Sequence, residues 1–183
     1  MKMKYLLLIA LFFGQFFNAL AQDDSEVDLV KLQQETKSAS IKFKQQLSAI
    51  EYNSDFEKST SISFRVDTFL VEDFLLRRLE IDFSTMAMAD AYYQAEMEYE
   101  KLINKYYQIL YNKLNEVDKQ SLKLTHDKWM SFKTAENDLT EKLANEEYSG
   151  CGSYVIIGIA YERMLLNKSR ATAYYEKLLG IVM

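Results

Sequence analysis

The stretch that decides the fold is MAMADAYYQAEMEYEKLINKYYQILYNKLN, residues 86–115. Apolar and aromatic side chains recur in it at steps of three and four residues, at Met88, Tyr92, Ala95, Tyr99, Leu102, Tyr106 and Ile109. This spacing places them on one side of an α-helix and is typical of helices that pack side by side in a bundle. We therefore predict a long helix whose aromatic side chains lie in the core rather than in a ligand pocket.

Four further segments have helical spacing: residues 27–50, 62–83, about 118–147 and 154–179. The second opens with a strand-like alternation over 61–67, but its continuation is helical, so we interpret it all as helix. We predict a polar connection over 51–61 and a helix cap at Ser84 or Thr85. The predicted inner side of the fourth helix carries Leu122, Trp129, Phe132, Ala135, Leu139 and Leu143.

The composition favours the same fold class. The chain has no Pro and only five Gly, so it contains few residues that interrupt a helix. We find no internal repeat and no low-complexity segment. The prediction is an all-α fold, a bundle of four to five antiparallel helices that follows a cleaved signal peptide.

The first 21 residues have the pattern of a secretory signal peptide. Lys2 and Lys4 precede an apolar run over 5–17, and the segment 19–21 supplies small residues at the expected cleavage site. A retained membrane anchor is the alternative, but the run is shorter than the ~20 residues that a spanning helix needs. We predict cleavage of residues 1–21, a single helical domain over 22–183 without a transmembrane segment, and a periplasmic or secreted location.

The net charge of the mature chain limits which class of partner it can bind. Removing Lys2 and Lys4 leaves 20 basic and 27 acidic side chains, a net charge of −7. The absence of a basic stripe argues against nucleic acid as the partner, whereas an acidic surface favours basic partners. The other explanation for the acidic charge is that it only keeps the protein soluble.

Cys151 is the single cysteine, so the domain has no internal disulfide, and Cys151 is either a free thiol or half of an intermolecular bridge.

The familiar catalytic constellations lack their parts. His126 is the single histidine, so a Ser-His-Asp or Cys-His site must use it, and metal-ligand spacing is absent. We predict no enzyme activity, no metal and no cofactor. An enzyme remains an alternative, and it predicts that His126→Ala abolishes an activity without unfolding the domain.

Two other features draw interest. Lys133, Glu136 and Arg170 lie near predicted core-facing positions; either the last two helices bring Glu136 close to Arg170, or all three charges are solvated. The segment 145–153 concentrates glycine in a chain that otherwise avoids it, and it is either a binding loop or a plain turn. The predicted contact residues are Glu147, Tyr148, Gly150, Cys151, Gly152 and Ser153.

The segment 122–136, LKLTHDKWMSFKTAE, resembles the signature of the LprI-type domain, a family named for a lysozyme inhibitor. That signature reads roughly L-x-x-A-Q-x-x-W-x-x-[YF]-R-D-A-E-C. The matching residues are Leu122, Trp129, Phe132, Ala135 and Glu136. The departures are His126 in place of Gln, Lys133 in place of Arg, Thr134 in place of Asp and Asn137 in place of Cys.

Other pieces follow in the family's order. Leu102 and Tyr106 are similar to its L-N-x-x-Y motif, the segment 148–153 to its glycine-rich loop, and Arg170 stands where a family Arg is expected. Asn137 and Glu162 replace two cysteines that often pair, so the chain resembles cysteine-free members, which carry extensions similar to 64–69 and 81–85. The resemblance covers 62–180 and leaves 22–61 as an N-terminal helix and connection.

The resemblance implies a helical exported domain and a structural signature made of Leu102, Tyr106, Trp129, Phe132, Glu136 and Arg170. Lysozyme inhibition is implied through the family name. Our leading hypothesis is an exported helical binding protein that inhibits a basic, lysozyme-like glycosidase. The alternative is a structural or interaction module of the cell envelope with no enzyme target.

Overall fold

The computed structural model describes residues 24–149 and 152–181, and this part of the chain forms six helices and no strand. The helices are α1 (Asp24–Ser48), α2 (Asp55–Ile81), α3 (Thr85–Lys113), α4 (Glu116–Leu143), α5 (Glu146–Ser149) and α6 (Tyr154–Leu179). The prediction of an all-α helical bundle is confirmed. The predicted signal peptide and the pair Gly150 and Cys151 lie outside the described residues.

Helices α3 and α6 pack against each other more extensively than any other pair. Buried alanines on both helices (Ala91, Ala95, Ala160 and Ala171) permit a close approach, because small side chains shorten the distance between helix axes. The two helices run parallel, since Glu96 contacts Arg163 near their starts and Tyr107 contacts Tyr174 further along both. The aromatic row predicted for residues 86–115 lies largely in this core, with Tyr99 and Tyr106 almost fully buried.

Helix α2 runs antiparallel along α3, and polar bonds follow their interface. Tyr99 donates to Glu72 at 2.8 Å, and Tyr106 donates to Asp67 at 2.6 Å, so each buried hydroxyl has a carboxylate acceptor. Helix α1 packs on the outer side of α2, where the rings of Phe43 and Phe69 stack with their centroids 4.7 Å apart. Successive long helices therefore alternate in direction, as the bundle prediction requires.

The start of α2 differs from the prediction. The connection was expected over 51–61, but the helix begins at Asp55, and the backbone N–H of Glu57 donates to the Ser54 hydroxyl at 3.1 Å. The Glu57 carboxylate in turn accepts from the backbone N–H of Asn53 at 2.9 Å. This reciprocal cap satisfies N–H groups that a helix start leaves unpaired, and it makes the short connection possible.

Replacement of Ser54 by alanine should lower the free energy of unfolding by about 1 kcal/mol, because it removes the acceptor of this cap. Urea unfolding followed by circular dichroism would measure the change. Ser59→Ala is the matched control, since Ser59 is exposed inside the helix, and we expect it to leave stability unchanged within about 0.5 kcal/mol. Equal stability of the Ser54→Ala protein and the wild type would show that the cap contributes nothing.

The inner side of α4 also differs from the prediction. Leu122 is buried and Trp129 packs against the core, but Phe132, Leu139 and Leu143 are about half exposed. The helix instead turns His126 and Lys133 inward, together with Leu122 and Trp129, at steps of four, three and four residues. A lysine can take such a position because its long apolar stem covers a ring while its ammonium group reaches a carboxylate.

The bundle has two distinct ends. The upper end comprises the turn at 82–84, the described part of the segment 144–153, the ends of α2 and α4 and the starts of α3 and α6. Arg78 with Asp90, and Arg163 with Glu141, connect these elements. The lower end comprises the connection at 49–54, the turn at 114–115 and the end of α6.

Within the described residues, none of the helices has the length and apolar character needed to cross a bilayer.

Candidate functional site

A cluster of aromatic and basic side chains connects α4 to α3 and α6. Tyr174 is fully buried, its hydroxyl lies 2.9 Å from Nδ1 of His126, and Arg170 donates to the same hydroxyl at 2.8 Å. A guanidinium group only donates, so the Tyr174 oxygen accepts from Arg170. The proton of the Tyr174 hydroxyl is then available to Nδ1 of His126, and the form of His126 that accepts it is the neutral ring with its proton on Nε2.

The Arg170 guanidinium lies between two rings. Its central carbon is 4.4 Å from the Tyr174 ring centroid and 5.3 Å from the Trp129 centroid, both within cation–π range. It also donates to the carbonyl of Thr125 at 3.4 Å, whereas its buried Nε has no hydrogen-bond partner among the described residues. Arg170 therefore holds the middle of α4 against α6 by ring contacts more than by ion pairing.

Burial shifts the pKa values of the titratable side chains in this cluster. Loss of solvent lowers the pKa of His126 below its ordinary value of 6.5, and the nearby charge of Arg170 lowers it further, while Asp127 on the same helix acts in the opposite sense. Burial raises the pKa of Tyr174 although Arg170 opposes this, and burial also raises the pKa of Tyr107, whose ring lies 4.6 Å from that of His126. At neutral pH the cluster thus has one positive charge, on Arg170.

We expect the stability of the domain to fall as the pH decreases from about 6.5 through the lower native pKa of His126. The unfolded chain binds this proton more readily than the folded one, so the contribution of neutral His126 is complete above pH 6.5 and is lost below. Urea unfolding of the wild type and of His126→Gln at several pH values between 8 and 5 would test this. The stability advantage of the wild type should shrink toward pH 5; a constant difference would contradict the prediction.

Lys133 is buried, and its ammonium group reaches Glu100 on α3 at 3.3 Å while it lies 5.8 Å from the Trp129 ring centroid. Glu136 is exposed, and within the described residues Arg170 makes no ion pair with it. Of the two alternatives for these charges, Glu136 is solvated, whereas Lys133 and Arg170 belong to the interface.

The residues of the implied structural signature divide into two groups. Leu102 and Tyr106 are in the core, and Trp129 and Arg170 contact each other between α4 and α6. Phe132, 51 % exposed, and Glu136 lie outside that interface. Four of the six signature residues therefore lie in the bundle interior or between helices, and the other two lie on the surface of α4.

Sequence reasoning missed a buried polar group near the upper end. Glu96 is only 6 % exposed and accepts from Nε of Arg163 at 3.2 Å, and Arg163 also donates to Glu141 at 2.9 Å. Asn167, fully buried, donates to the backbone carbonyl of Glu96 at 3.0 Å, while its Oδ1 has no partner among the described residues. The available signal was that Asn167 stands between Met164 and Ala171 at core spacing.

Four of the predicted contact residues are described, and all four lie at the upper end. Glu147 and Tyr148 are exposed on the one-turn helix α5, with Tyr148 66 % exposed. Gly152 and Ser153 precede α6, and the ring of Tyr154 lies so close to Gly152 that a Cβ there would displace it. The structure thus brings 81–85 and the described part of 147–153, two segments noted in the sequence, to one end of the bundle.

No protein-family model, curated protein or solved structure matches the chain. The described residues also contain no group of three or more His, Cys, Asp or Glu side chains arranged to hold a metal ion.

Proposed function

We propose that the chain is an exported helical binding protein whose partner is a basic protein, with a lysozyme-like glycosidase as the first candidate. The observation that supports this most directly is the unequal distribution of charge and exposed rings between the two ends of the bundle. Binding is preferred over catalysis because the ring nitrogen Nδ1 of His126 is already used by the buried Tyr174.

The upper end is acidic. Its exposed carboxylate residues, taken over segments 79–90, 136–149 and 152–163, are Glu80, Asp82, Asp90, Glu136, Asp138, Glu141, Glu147 and Glu162. The basic residues of the same described segments, with Arg78 at the end of α2 included, are Arg78, Lys142 and Arg163. Arg78 already pairs with Asp90, and Arg163 pairs with Glu96 and Glu141, so the carboxylates remain in excess. Around the lower end, over 42–58, 105–128 and 176–177, basic side chains slightly outnumber acidic ones. A basic protein is therefore attracted to the upper end.

Exposed apolar side chains accompany these carboxylates. Phe83, Tyr148 and Tyr154 are each about two-thirds exposed or more, and Met86 is similar. Aromatic residues supply much of the binding energy of protein interfaces, because they bury a large area at a small entropic cost. The resemblance of 122–136 to LprI-type domains and the predicted signal peptide support an exported inhibitor, and Glu147 and Tyr148 have the exposure to enter a cleft.

Titration of the mature protein into a cell-wall hydrolysis assay with a basic lysozyme tests the proposal. We expect hydrolysis to slow as the protein is added, and the effect to weaken with added salt because the attraction is partly electrostatic. Glu147→Gln with Tyr148→Ala should weaken inhibition, whereas the lower-end substitution Glu51→Gln should not. Unchanged hydrolysis at a large molar excess would refute lysozyme inhibition.

A structural or interaction module of the envelope is the second candidate, and the exposed apolar side of α4 favours it. Phe132, Leu139 and Leu143 recur at steps of seven and four residues and do not contribute to the core. This function predicts stable co-purification with another envelope protein and loss of that complex when Phe132 and Leu139 are replaced by serine. The glycosidase hypothesis predicts inhibition that survives these substitutions.

A further inference from the structure

Helix α4 has a second apolar row that the bundle does not use. Its members are each about half exposed or more: Val117, Leu124, Phe132, Leu139 and Leu143. Because successive helical residues differ by about 100° in direction, these five lie within about 100° of one another on the helix surface. The core-facing side of α4 points about a third of a turn away, so the domain itself leaves the row accessible.

The row continues without a break along almost the whole helix. The positions between its apolar residues carry Ser121, Lys128 and Ala135, which are small or have a long apolar stem. The complete row from 117 to 143, here named the outer seam, therefore advances only by steps of three and four residues. Such a row is the pattern by which two helices pack along their length, whereas single scattered apolar residues need no partner.

The outer seam is complementary to itself when a second copy of α4 runs in the opposite direction. With Phe132 on the two-fold axis, where it faces Phe132 of the second copy, Leu124 lies opposite Leu139. Ser121 then lies opposite Leu143, so a small side chain faces a large one at the outer positions. Such an interface is isologous, because the same patch serves both copies.

The charges of the outer seam select this antiparallel arrangement. Lys128 precedes Phe132 by four residues and Glu136 follows it by four, so Lys128 of each copy lies beside Glu136 of the other. Both side chains are exposed, and within the described residues neither has an ion-pair partner. A parallel arrangement would instead place Lys128 against Lys128, which is unfavourable because like charges repel.

We propose that the mature protein forms a two-fold symmetric dimer through the outer seam, with the two copies of α4 antiparallel and Phe132 at the centre. The Lys128 stem crosses Ala135 of the second copy, and its ammonium group reaches Glu136 of that copy. This inference goes beyond the proposed function and does not depend on it. Glu147 and Tyr148 lie past the end of the outer seam, so both copies keep them for another partner.

Sedimentation velocity of the mature protein, at concentrations from about 10 µM to 1 mM, measures the dimer directly. A reductant is present throughout, so that Cys151 cannot form an intermolecular bridge. We expect the dimer fraction to rise with concentration and Phe132→Ala to raise the dissociation constant at least roughly ten-fold, because both copies lose the central ring. Met130→Ala is the control, since Met130 lies on another side of α4 and should not affect the dimer.

Charge reversal tests the register. Lys128→Glu places a glutamate beside Glu136, and Glu136→Lys places a lysine beside Lys128, so each change alone should weaken the dimer at least roughly ten-fold. The protein with both changes should dimerise within roughly three-fold of the wild type. An equal mixture of the two single variants should form heterodimers, because every glutamate again faces a lysine. Lys123→Glu, the same change outside the outer seam, should have no effect.

Each outcome either supports or refutes the dimer. A monomer at every concentration refutes it and leaves the outer seam to a different protein. A dimer that persists in Phe132→Ala uses another surface, which also refutes the proposal. A dimer that requires Phe132 but is not restored in the mixture refutes the antiparallel arrangement. Circular dichroism confirms that each variant has folded, and wall hydrolysis is measured separately, so failure of the dimer does not count against lysozyme inhibition.

Discussion

Replacement of Tyr174 by alanine should lower the free energy of unfolding by about 3–5 kcal/mol, since it deletes a fully buried aromatic ring and leaves a cavity. The substitution also removes the hydroxyl to which Arg170 donates and which faces His126. Both partners would lose a hydrogen bond in a poorly solvated site, which adds to the cost of the cavity. Helix α4 should be affected together with α6, because the contact between His126 and the Tyr174 hydroxyl connects the two helices.

Urea unfolding followed by circular dichroism would measure this loss. Tyr174→Phe retains the ring and removes only the hydroxyl, so it should cost about 1–2 kcal/mol. Tyr154→Ala is the matched control, because its ring is largely exposed and its removal should change stability by less than about 0.5 kcal/mol. A cost below 1 kcal/mol for Tyr174→Ala would mean that the ring does not support the core.

Replacement of Arg163 by methionine should lower the free energy of unfolding by roughly 2–4 kcal/mol. The change leaves the buried carboxylate of Glu96 without its cation, and an unpaired buried charge is more costly than the loss of an exposed ion pair. Methionine preserves most of the side-chain volume, so the effect reports charge rather than packing. Because Arg163 itself is partly solvated, the lower part of this range is expected.

Two variants make the Arg163 experiment specific. Glu141→Gln removes the exposed partner of Arg163 and should cost no more than about 0.5 kcal/mol. The double variant Glu96→Gln with Arg163→Met should be more stable than Arg163→Met alone, since it no longer has an unpaired buried charge. A double variant that is less stable than the single one would refute the proposed cause.

The helices were largely predictable from spacing, and the interfaces were not. The predicted bounds of α6 agree with the structure, and those of α3 are close, because each has a long, regular row of core residues. On α4 two rows compete: Phe132, Leu139 and Leu143 are the more apolar, yet the row containing His126 and Lys133 faces the core. A prediction based on hydrophobicity alone selects the first row. It takes no account of the fact that the apolar stem of a lysine and the ring of a histidine can also fill core positions.

The candidate site was predictable in its residues but only partly in its contacts. Trp129 and Arg170 were both identified, but the two alternatives considered for Arg170 were an approach to Glu136 or solvation, whereas the structure places its guanidinium between two rings. The buried Glu96 was missed because its burial depends on the close approach of α3 and α6, which is a property of three-dimensional packing.

The length of the bundle changes the meaning of its net charge. Helix α3 has 29 residues and therefore spans roughly 43 Å, whereas charges in physiological salt are screened over about 8 Å. A molecule that approaches one end is thus several screening lengths from the other. The two ends act as electrostatically independent surfaces, and a partner of the upper end responds to its carboxylates as if the lysines of the lower end were not there.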